Sequence, residues 1–299
     1  MNGKLQLAQI PGEPMEKTVK KTLYIAKWHR NMDAAVSLRF DDSCKTHVRR
    51  AIPILNQFGI KGTFMVNPGR RAYQKAKKFW EKSVLDMGHH LGNHTWNHHG
   101  ATTLEKADFE IGGVSKLIWK LQPDQSKLLV FASGGGGKKW GGRHWRDADN
   151  GYKQLIQKYH LIDLYDGTHP YISADTRTSV HEMLKATQQA IADKSHQAFT
   201  FHRIGRPATT IKGLARYILR KYDITFRKKD FYYFIRHIAD MKNEICIAPL
   251  LNVLKYKTEY QSAELIETDR QTRALKFDLK IKTDPDLFDH PLTDRKSVV

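Results

Sequence analysis

Cysteine and long apolar runs are both scarce in this chain. Two cysteines among 299 residues, Cys44 and Cys246, are too few for a disulfide framework, and neither belongs to a CxxC pair of a zinc or redox site. No apolar run approaches the roughly 20 residues that a membrane span requires. The opening residues, up to Lys21, lack the apolar centre of a signal peptide. We therefore expect a globular protein with neither an anchor nor a signal peptide.

A phosphate-binding loop is also missing. Residues 133–139 read Ser-Gly-Gly-Gly-Gly-Lys-Lys, which invites comparison with the G-x4-G-K-[ST] loop of nucleotide-binding proteins. Trp140 follows Lys139 where that loop requires Ser or Thr, so the motif is not met. We expect no nucleotide site here.

Acidic residues are outnumbered. The chain has 31 Asp and Glu against 50 Lys and Arg, a formal net charge of +19. Such an excess favours a polyanionic partner, and a spread, solubilising surface is the alternative. The densest basic stretch, residues 203–229, directly follows His202.

The hydrophobic fraction of 40% provides a normal core, and its pattern alternates between strands and helices. Apolar runs predict strands at Ala35–Phe40, Gly62–Val66, Lys127–Ala132, Leu161–Leu164, Gln197–His202 and Glu244–Ala248, with a short seventh near His90–Asn93. Helical spacing and capping residues predict helices at Val48–Phe58, from the capping box Thr102–Glu105 to Leu121, at Ser179–Asp193 and at Asp230–Lys242.

About seven strand-helix units in series are typical of a parallel barrel or of a doubly wound sheet. Asp41, Asp42, His94 and His202 all fall at or just after strand ends, as a barrel with its active site on the carboxyl rim requires. We therefore favour an α/β barrel. It is expected to span residues 31–267, after a lead-in of residues 1–30 and before a β-rich extension of residues 268–299.

The extension opens with a strand pattern, because Leu275, Phe277, Leu279 and Ile281 alternate with polar residues. Its last six residues, 294–299, read like the translation of a common sequencing adapter. We interpret them as a candidate non-native tail, and the extension as truncated.

Two clusters of polar residues carry the chemistry. Asp41 and Asp42 close the first apolar strand, and adjacent carboxylates there are costly unless they are used. His94 and His98 follow the strand near 90–93. Oxygen and imidazole ligands together hold a catalytic divalent metal and leave positions open for water. The combination indicates metal-assisted hydrolysis. The competing readings are a turn or helix cap for the aspartates and chance among 15 histidines.

Four segments together resemble the NodB-homology polysaccharide deacetylases of carbohydrate esterase family four. Residues 35–42 (Ala-Val-Ser-Leu-Arg-Phe-Asp-Asp) resemble the family's T-F-D-D strand, residues 59–66 its second strand, residues 92–98 (Gly-Asn-His-Thr-Trp-Asn-His) its H-[ST]-x-x-H motif, and residues 199–202 (Phe-Thr-Phe-His) its late strand ending in histidine. The resemblance runs in order from about residue 34 to 260.

The resemblance implies a distorted (β/α)7 barrel in which Asp42, His94 and His98 bind a divalent metal, commonly zinc. Asp41 would be the general base and His202 the general acid. The implied reaction removes acetyl groups from N-acetylated, or less readily O-acetylated, polysaccharide, with acetylxylan and cyclic amides also open as substrates. The family implies an extracellular, periplasmic or cell-envelope setting. The alternative is an inactive relative that binds an anionic glycan or, less favoured, nucleic acid.

The sequence departs from the family where many members carry Arg-Pro-Pro-Tyr-Gly, whose Arg orients the catalytic Asp. Here Phe-Ala-Ser-Gly-Gly-Gly stands at residues 131–136, and no match to the family's Asp-and-Trp motif is found around residues 161–166. Arg39, which replaces the usual Thr, is the candidate to position Asp41 instead. Arg39, Trp140 and Trp145 are also candidate substrate contacts, the tryptophans as a wall on which sugars stack or as ordinary loop packing.

Overall fold

The computed structural model describes residues 21–133, 150–206, 223–270 and 275–298. The strands are β1 Lys21–Ile25, β2 Ala34–Phe40, β3 Thr63–Val66, β4 His90–Asn93, β5 Leu129–Phe131, β6 Leu161–Asp163, β7 Tyr171–Ala174, β8 His196–Phe201, β9 Arg203–Gly205, β10 Thr225–Arg227, β11 Ile245–Ile247, β12 Ala263–Arg270, β13 Leu275–Ile281 and β14 Asp294–Val298.

The helices are α1 Ile52–Gln57, α2 Arg71–Gln74, α3 Val84–Asp86, α4 Leu104–Leu121, α5 Asn150–Lys158, α6 Val180–Ala192, α7 Lys228–Asp240 and α8 Leu250–Ser262. A wider π-helical turn precedes α1 at His47–Ala51 and another precedes α3 at Phe79–Ser83.

One parallel sheet organises the fold. Its strands lie in the order β6-β5-β4-β3-β2-β8-β7, and β11 pairs with the first residues of β2. Among the described residues no pairing joins the edge strands β6 and β7, so the sheet is curled but open. All seven residues of β2 are buried, as expected of a parallel strand covered on both faces. The predicted distorted (β/α)7 barrel is confirmed.

Three aromatic rings set the register at the centre of the sheet. Phe40 of β2 is the register partner of Phe64 in β3 and of Phe201 in β8. The ring of Phe40 stacks on that of Phe64 at 4.8 Å between centroids and on that of Phe201 at 5.3 Å. A slip of one residue would turn every side chain to the other face. This register therefore brings Asp41 and His202, the residues that follow Phe40 and Phe201, side by side.

Helices cover both faces of the sheet. Phe231 and Phe234 of α7 pack edge-on against Phe201 and Phe199 of β8, with ring centroids 5.1 and 4.8 Å apart. On the opposite face α8 contributes buried leucines that pack with Met65 of β3. The carboxyl ends of the strands are thus fixed from two sides.

Two antiparallel strand pairs outside the main sheet involve the C-terminal residues. β12 pairs antiparallel with β13, and β14 pairs antiparallel with β1. The predicted strand at residues 275–281 is confirmed, while the expected domain boundary at residue 267 falls inside β12. Within the described residues, no helix combines the length and the apolar character that a membrane crossing needs.

Several elements of the fold differ from the sequence prediction, and three of them concern the barrel. β7 was not predicted, because this edge strand is short and largely exposed. Helix α8 was not predicted either. The cap of α4 is Thr103, whose side chain accepts from the Lys106 N–H, rather than Thr102. The observed helix start therefore differs from the predicted one by one residue. Either threonine could cap the helix, and the sequence does not show which of them the backbone conformation selects.

Candidate metal-dependent active site

The carboxyl ends of neighbouring strands converge on one site. Asp41 and Asp42 follow β2, and His94 follows β4. Ladder bonds continue past the strand ends: the Asp41 N–H donates to the Phe201 carbonyl at 2.9 Å, and the His94 N–H donates to the Val66 carbonyl at 3.2 Å. These bonds fix the backbone from which the polar side chains project.

Asp42, His94 and His98 meet as a potential metal site. One ligand atom from each lies within 4.8 Å of the other two. The Oδ1 atom of Asp42 is 3.0 Å from His98 Nε2 and 3.7 Å from His94 Nε2. A carboxylate oxygen and two imidazole nitrogens suit zinc and leave the remaining coordination positions to water or substrate. Among the described residues this is the group of three that could hold a cation.

The ring of His94 is oriented as that of a metal ligand would be. Its Nδ1 donates to the Ala132 carbonyl, 2.8 Å away, so Nε2 is the ring nitrogen left to bind a metal. Nε2 is the atom that faces Asp42. A histidine that binds metal through one nitrogen normally donates from the other in this way. The side chain is almost fully buried, at 3% exposure, so its orientation is fixed.

The turn between the two histidines has a strained backbone. Thr95 and His98 have φ values of 66° and 64°, in the left-handed region that costs non-glycine residues about 1–3 kcal/mol each. Buried hydrogen bonds hold the turn: Asn67 Nδ2 donates to the Thr95 carbonyl at 3.1 Å, and both Glu110 oxygens accept from Asn97, at 2.7 and 2.8 Å. The hydrogen bonds with Asn67 and Glu110 therefore stabilise the turn conformation that positions His98.

Asp41 lies beside the metal site in a buried ion pair. Arg39 Nε donates to Asp41 Oδ1 at 2.7 Å, and Arg39 Nη2 donates to Oδ2 at 2.6 Å. Arg39 Nη2 also donates to the Tyr165 hydroxyl at 2.8 Å. Arg39 and Asp41 are each 1% exposed. Arg39 thus contacts Asp41 from within the same strand, in the positioning role weighed for it from the sequence.

Electrostatics keep both aspartates ionised. Burial alone would raise the pKa of Asp41, but the Arg39 guanidinium outweighs it and the net pKa is lowered. Burial also opposes ionisation of Asp42, and hydrogen bonds from His94 and His98 hold its pKa well below the usual range. Two adjacent carboxylates can therefore carry charge together, each with its own partner.

His202 belongs to the same electrostatic group. Burial lowers its pKa, and the carboxylates of Asp41 and Asp42 partly offset that effect by favouring the imidazolium. The His47 ring bonds the His202 backbone carbonyl. The imidazole of His202 is therefore close enough to interact with both aspartates. The bond from His47 holds the backbone of His202 in place.

Comparison with known proteins agrees with this geometry. Residues 29–138, which contain Arg39, both aspartates and both metal-facing histidines, match the family model for polysaccharide deacetylase. The matched segment spans 110 of the 299 residues. A search of curated proteins found no match.

Several solved structures are similar to this chain. A peptidoglycan deacetylase from Bacillus subtilis is 14% identical, with 78% of this chain and 95% of that chain covered and a TM-score of 0.44. A family 4 carbohydrate esterase from Streptomyces lividans, in complex with acetate, is 15% identical over 72% of this chain and 92% of that chain, with a TM-score of 0.40. A CE4 family pseudoenzyme from Bacillus anthracis is 14% identical over 76% of this chain and 66% of that chain, with a TM-score of 0.44.

The candidate site contains contacts that the sequence did not reveal. Arg70 Nη1 donates to Asp42 Oδ1 at 3.1 Å, and Glu110 supports the histidine turn from α4. Tyr165 bonds Arg39 from 126 positions away along the chain. Their partners are distant in sequence, so only the sheet order brings them together. Trp140 and Trp145, the two predicted sugar contacts, lie outside the described residues.

Proposed function

We propose that the chain is a metal-dependent hydrolase that removes acetyl groups from polysaccharide, N-acetyl in preference to O-acetyl. The observation that carries the proposal is the convergence of Asp42, His94 and His98 beside the buried carboxylate of Asp41, within a polysaccharide deacetylase domain. Such an arrangement would supply both a ligand set for a metal and a separate proton acceptor beside it.

The donor set fits a divalent cation, and zinc is the metal we favour. Asp42 Oδ1 and the Nε2 atoms of His94 and His98 would hold it, since they already face one another. When bound, such a cation polarises an acyl carbonyl and makes water more acidic. The protein supplies the rest through residues next to this site.

Asp41 and His202 divide the proton transfers. Asp41, ionised because of Arg39, accepts a proton from the attacking water. His202 donates a proton to the departing amine nitrogen, which is too basic to leave as an anion. The two aspartates differ in role because Asp42 is committed to the cation while Asp41 is held by Arg39 alone.

The test compares acetate release from chitohexaose with hydrolysis of 4-nitrophenyl acetate by the zinc-loaded chain. Asp41→Asn should retain zinc and lose turnover of both substrates, because an amide does not accept the proton. His202→Ala should retain zinc and lose more on the amide than on the aryl ester, whose phenolate leaves unprotonated. The exposed His181 gives a control, His181→Ala, with no expected effect.

Equal losses on both substrates in His202→Ala would remove His202 as general acid. A different outcome would favour the alternative function of a glycan-binding module. In that case the chain would bind zinc and polyanions but release no acetate from any acetylated glycan.

A further inference from the structure

A groove of about 760 Å³ lies between the segments that follow β2 and β3. Eight residues line it: Ser43, Lys45, Val48, Arg49, Arg71, Ala72, Lys75 and Ala76. One of them, the buried Ser43, directly follows Asp42 of the candidate metal site. The groove is therefore next to that site along the chain, within reach of a polysaccharide longer than the sugar at the metal.

The lining is cationic. Lys45, Arg49, Arg71 and Lys75 are all exposed, and the lining contains no acidic side chain. Within the described part of the chain, no salt bridge joins any of these four side chains to a carboxylate. The neighbours just outside the groove differ, because Arg70 pairs with Asp42 and Lys77 with Glu81. The groove thus concentrates positive charge that no carboxylate among the described residues pairs with.

Each wall presents its cations at helical spacing. Lys45, Val48 and Arg49 are spaced i, i+3 and i+4, and on the other wall Arg71 and Lys75 are spaced i and i+4, so each set shares one face of its segment. Between the cations lie small aliphatic side chains, Val48, Ala72 and Ala76, which leave room for a ligand of some width.

The chemistry of the lining favours an anionic glycan over a nucleic acid. Sequence-independent binding of single-stranded nucleic acid relies on aromatic rings on which bases stack, and the residues that line this groove include no aromatic ring. A sugar chain needs no base-stacking platform, and its carboxylate or sulfate groups would meet the four cations.

We propose that this groove binds an anionic segment of the acetylated polysaccharide, in which sugars bearing carboxylate or sulfate groups neighbour the acetylated sugar at the metal site. The inference rests on the proposed function for the identity of the bound chain. It adds the substrate class, an acidic heteropolysaccharide, and the four residues that would select it.

The test measures binding of fluorescently labelled hyaluronan hexasaccharide, which alternates N-acetylglucosamine with glucuronate, to the zinc-loaded full chain. Chitohexaose serves as the neutral probe of equal length. The groove variant is Lys45→Gln/Arg49→Gln/Arg71→Gln/Lys75→Gln. The matched control removes four exposed lysines elsewhere: Lys106→Gln/Lys120→Gln/Lys185→Gln/Lys228→Gln. Zinc content and thermal midpoint verify that each variant is folded.

We expect the groove variant to bind hyaluronan about tenfold or more weakly, since four exposed ionic contacts are lost, and the control to lose about twofold or less through the long-range field. Wild-type affinity should fall steeply with salt, and the groove variant should lose most of that dependence. Equal losses in the two variants, or unchanged affinity in the groove variant, would overturn the proposal. So would single-stranded DNA that binds through the same four residues more tightly than hyaluronan.

The readout separates this proposal from the proposed function. Binding is measured without turnover, and acetate release by the wild-type chain is measured independently. Groove-dependent hyaluronan binding with no acetate release would reject the deacetylase and keep the anionic site. Acetate release from chitohexaose with no groove effect would keep the deacetylase and reject the anionic site.

Discussion

At the scale of single residues, Arg39 is the side chain that holds the carboxylate of Asp41. Its guanidinium binds both oxygens of Asp41 from two positions away in β2, and Tyr165 accepts its remaining contact. A planar guanidinium matches a carboxylate with two parallel bonds, which a lysine does not reproduce. Arg39 therefore sets both the orientation and the charge of Asp41.

Arg39→Lys should move the acid limb of the pH profile of kcat/KM to higher pH. Arg39 lowers the pKa of Asp41; a weaker partner lets that pKa rise, so Asp41 is ionised only at higher pH. Tyr165→Phe is the matched control, because it removes one hydrogen bond of about 0.5–1.5 kcal/mol and keeps the ion pair. An acid limb that stays in place in Arg39→Lys would separate Arg39 from the base.

At the scale of structural elements, the histidine turn depends on a carboxylate from the following helix. Glu110 of α4 is 5% exposed, and its two oxygens accept from the backbone and the side chain of Asn97. Asn97 directly precedes His98, whose φ is positive. The support therefore acts on the conformation of a metal ligand rather than on the metal.

Glu110→Ala should weaken zinc affinity about 10- to 100-fold, as the loss of support behind metal ligands generally does. It should also lower the free energy of unfolding by about 1–3 kcal/mol, since two donors of Asn97 lose their acceptor. Competition with a zinc chelator and chemical denaturation measure the two effects. Lys120→Ala, exposed on the same helix, is the control. Unchanged zinc affinity in Glu110→Ala would show that the turn holds its shape without the helix.

Buried strands could be predicted from the sequence, whereas an exposed edge strand could not. Buried parallel strands such as β2 are continuous apolar runs, so each was predicted within one or two residues of its observed bounds. β7 was missed because an edge strand with one buried residue leaves no apolar pattern. The proximity of Asp42, His94 and His98 was predictable because they lie in two short motifs at strand ends. Arg70, Glu110 and Tyr165 were not, since the fold alone decides their partners.

At the scale of the whole molecule, four cations gather in one groove. Lys45, Arg49, Arg71 and Lys75 line it, and no carboxylate among the described residues pairs with them. The predicted basic stretch at residues 203–229 lies largely outside the described residues. The sequence alone did not reveal that groove, because the residues of its two walls, 43–49 and 71–76, are separated along the chain by α1 and β3. Net charge predicts the class of partner, and the fold decides where that partner binds.

Buried histidines should make the whole molecule sensitive to acid. Burial lowers the pKa of His47 and of His89 from 6.5 to about 4. The unfolded chain therefore binds more protons than the folded chain between these values. Stability present above pH 6.5 is lost as pH falls towards 4, by about 2 kcal/mol for each histidine at pH 5.

His89→Gln tests this dependence, because His89 Nδ1 accepts from the Gly62 N–H at 3.1 Å and protonation would abolish that bond. Urea unfolding at pH 7 and pH 5 should show a smaller loss of stability on acidification in His89→Gln than in the wild-type chain. His99→Gln, at an exposed position, should behave like wild type. An identical loss in all three proteins would exclude His89 as a source of the acid sensitivity.

The central claim is that one cation, held by Asp42, His94 and His98, makes this chain a deacetylase. The most direct measurement titrates the metal-free chain with zinc while bound zinc and acetate release from chitohexaose are followed together. We predict that both rise in proportion and saturate at one zinc per chain, that His98→Ala binds no zinc and releases no acetate, and that the neighbouring exposed variant His99→Ala matches wild type. Acetate release from the metal-free chain, or full zinc binding by His98→Ala, would contradict the account.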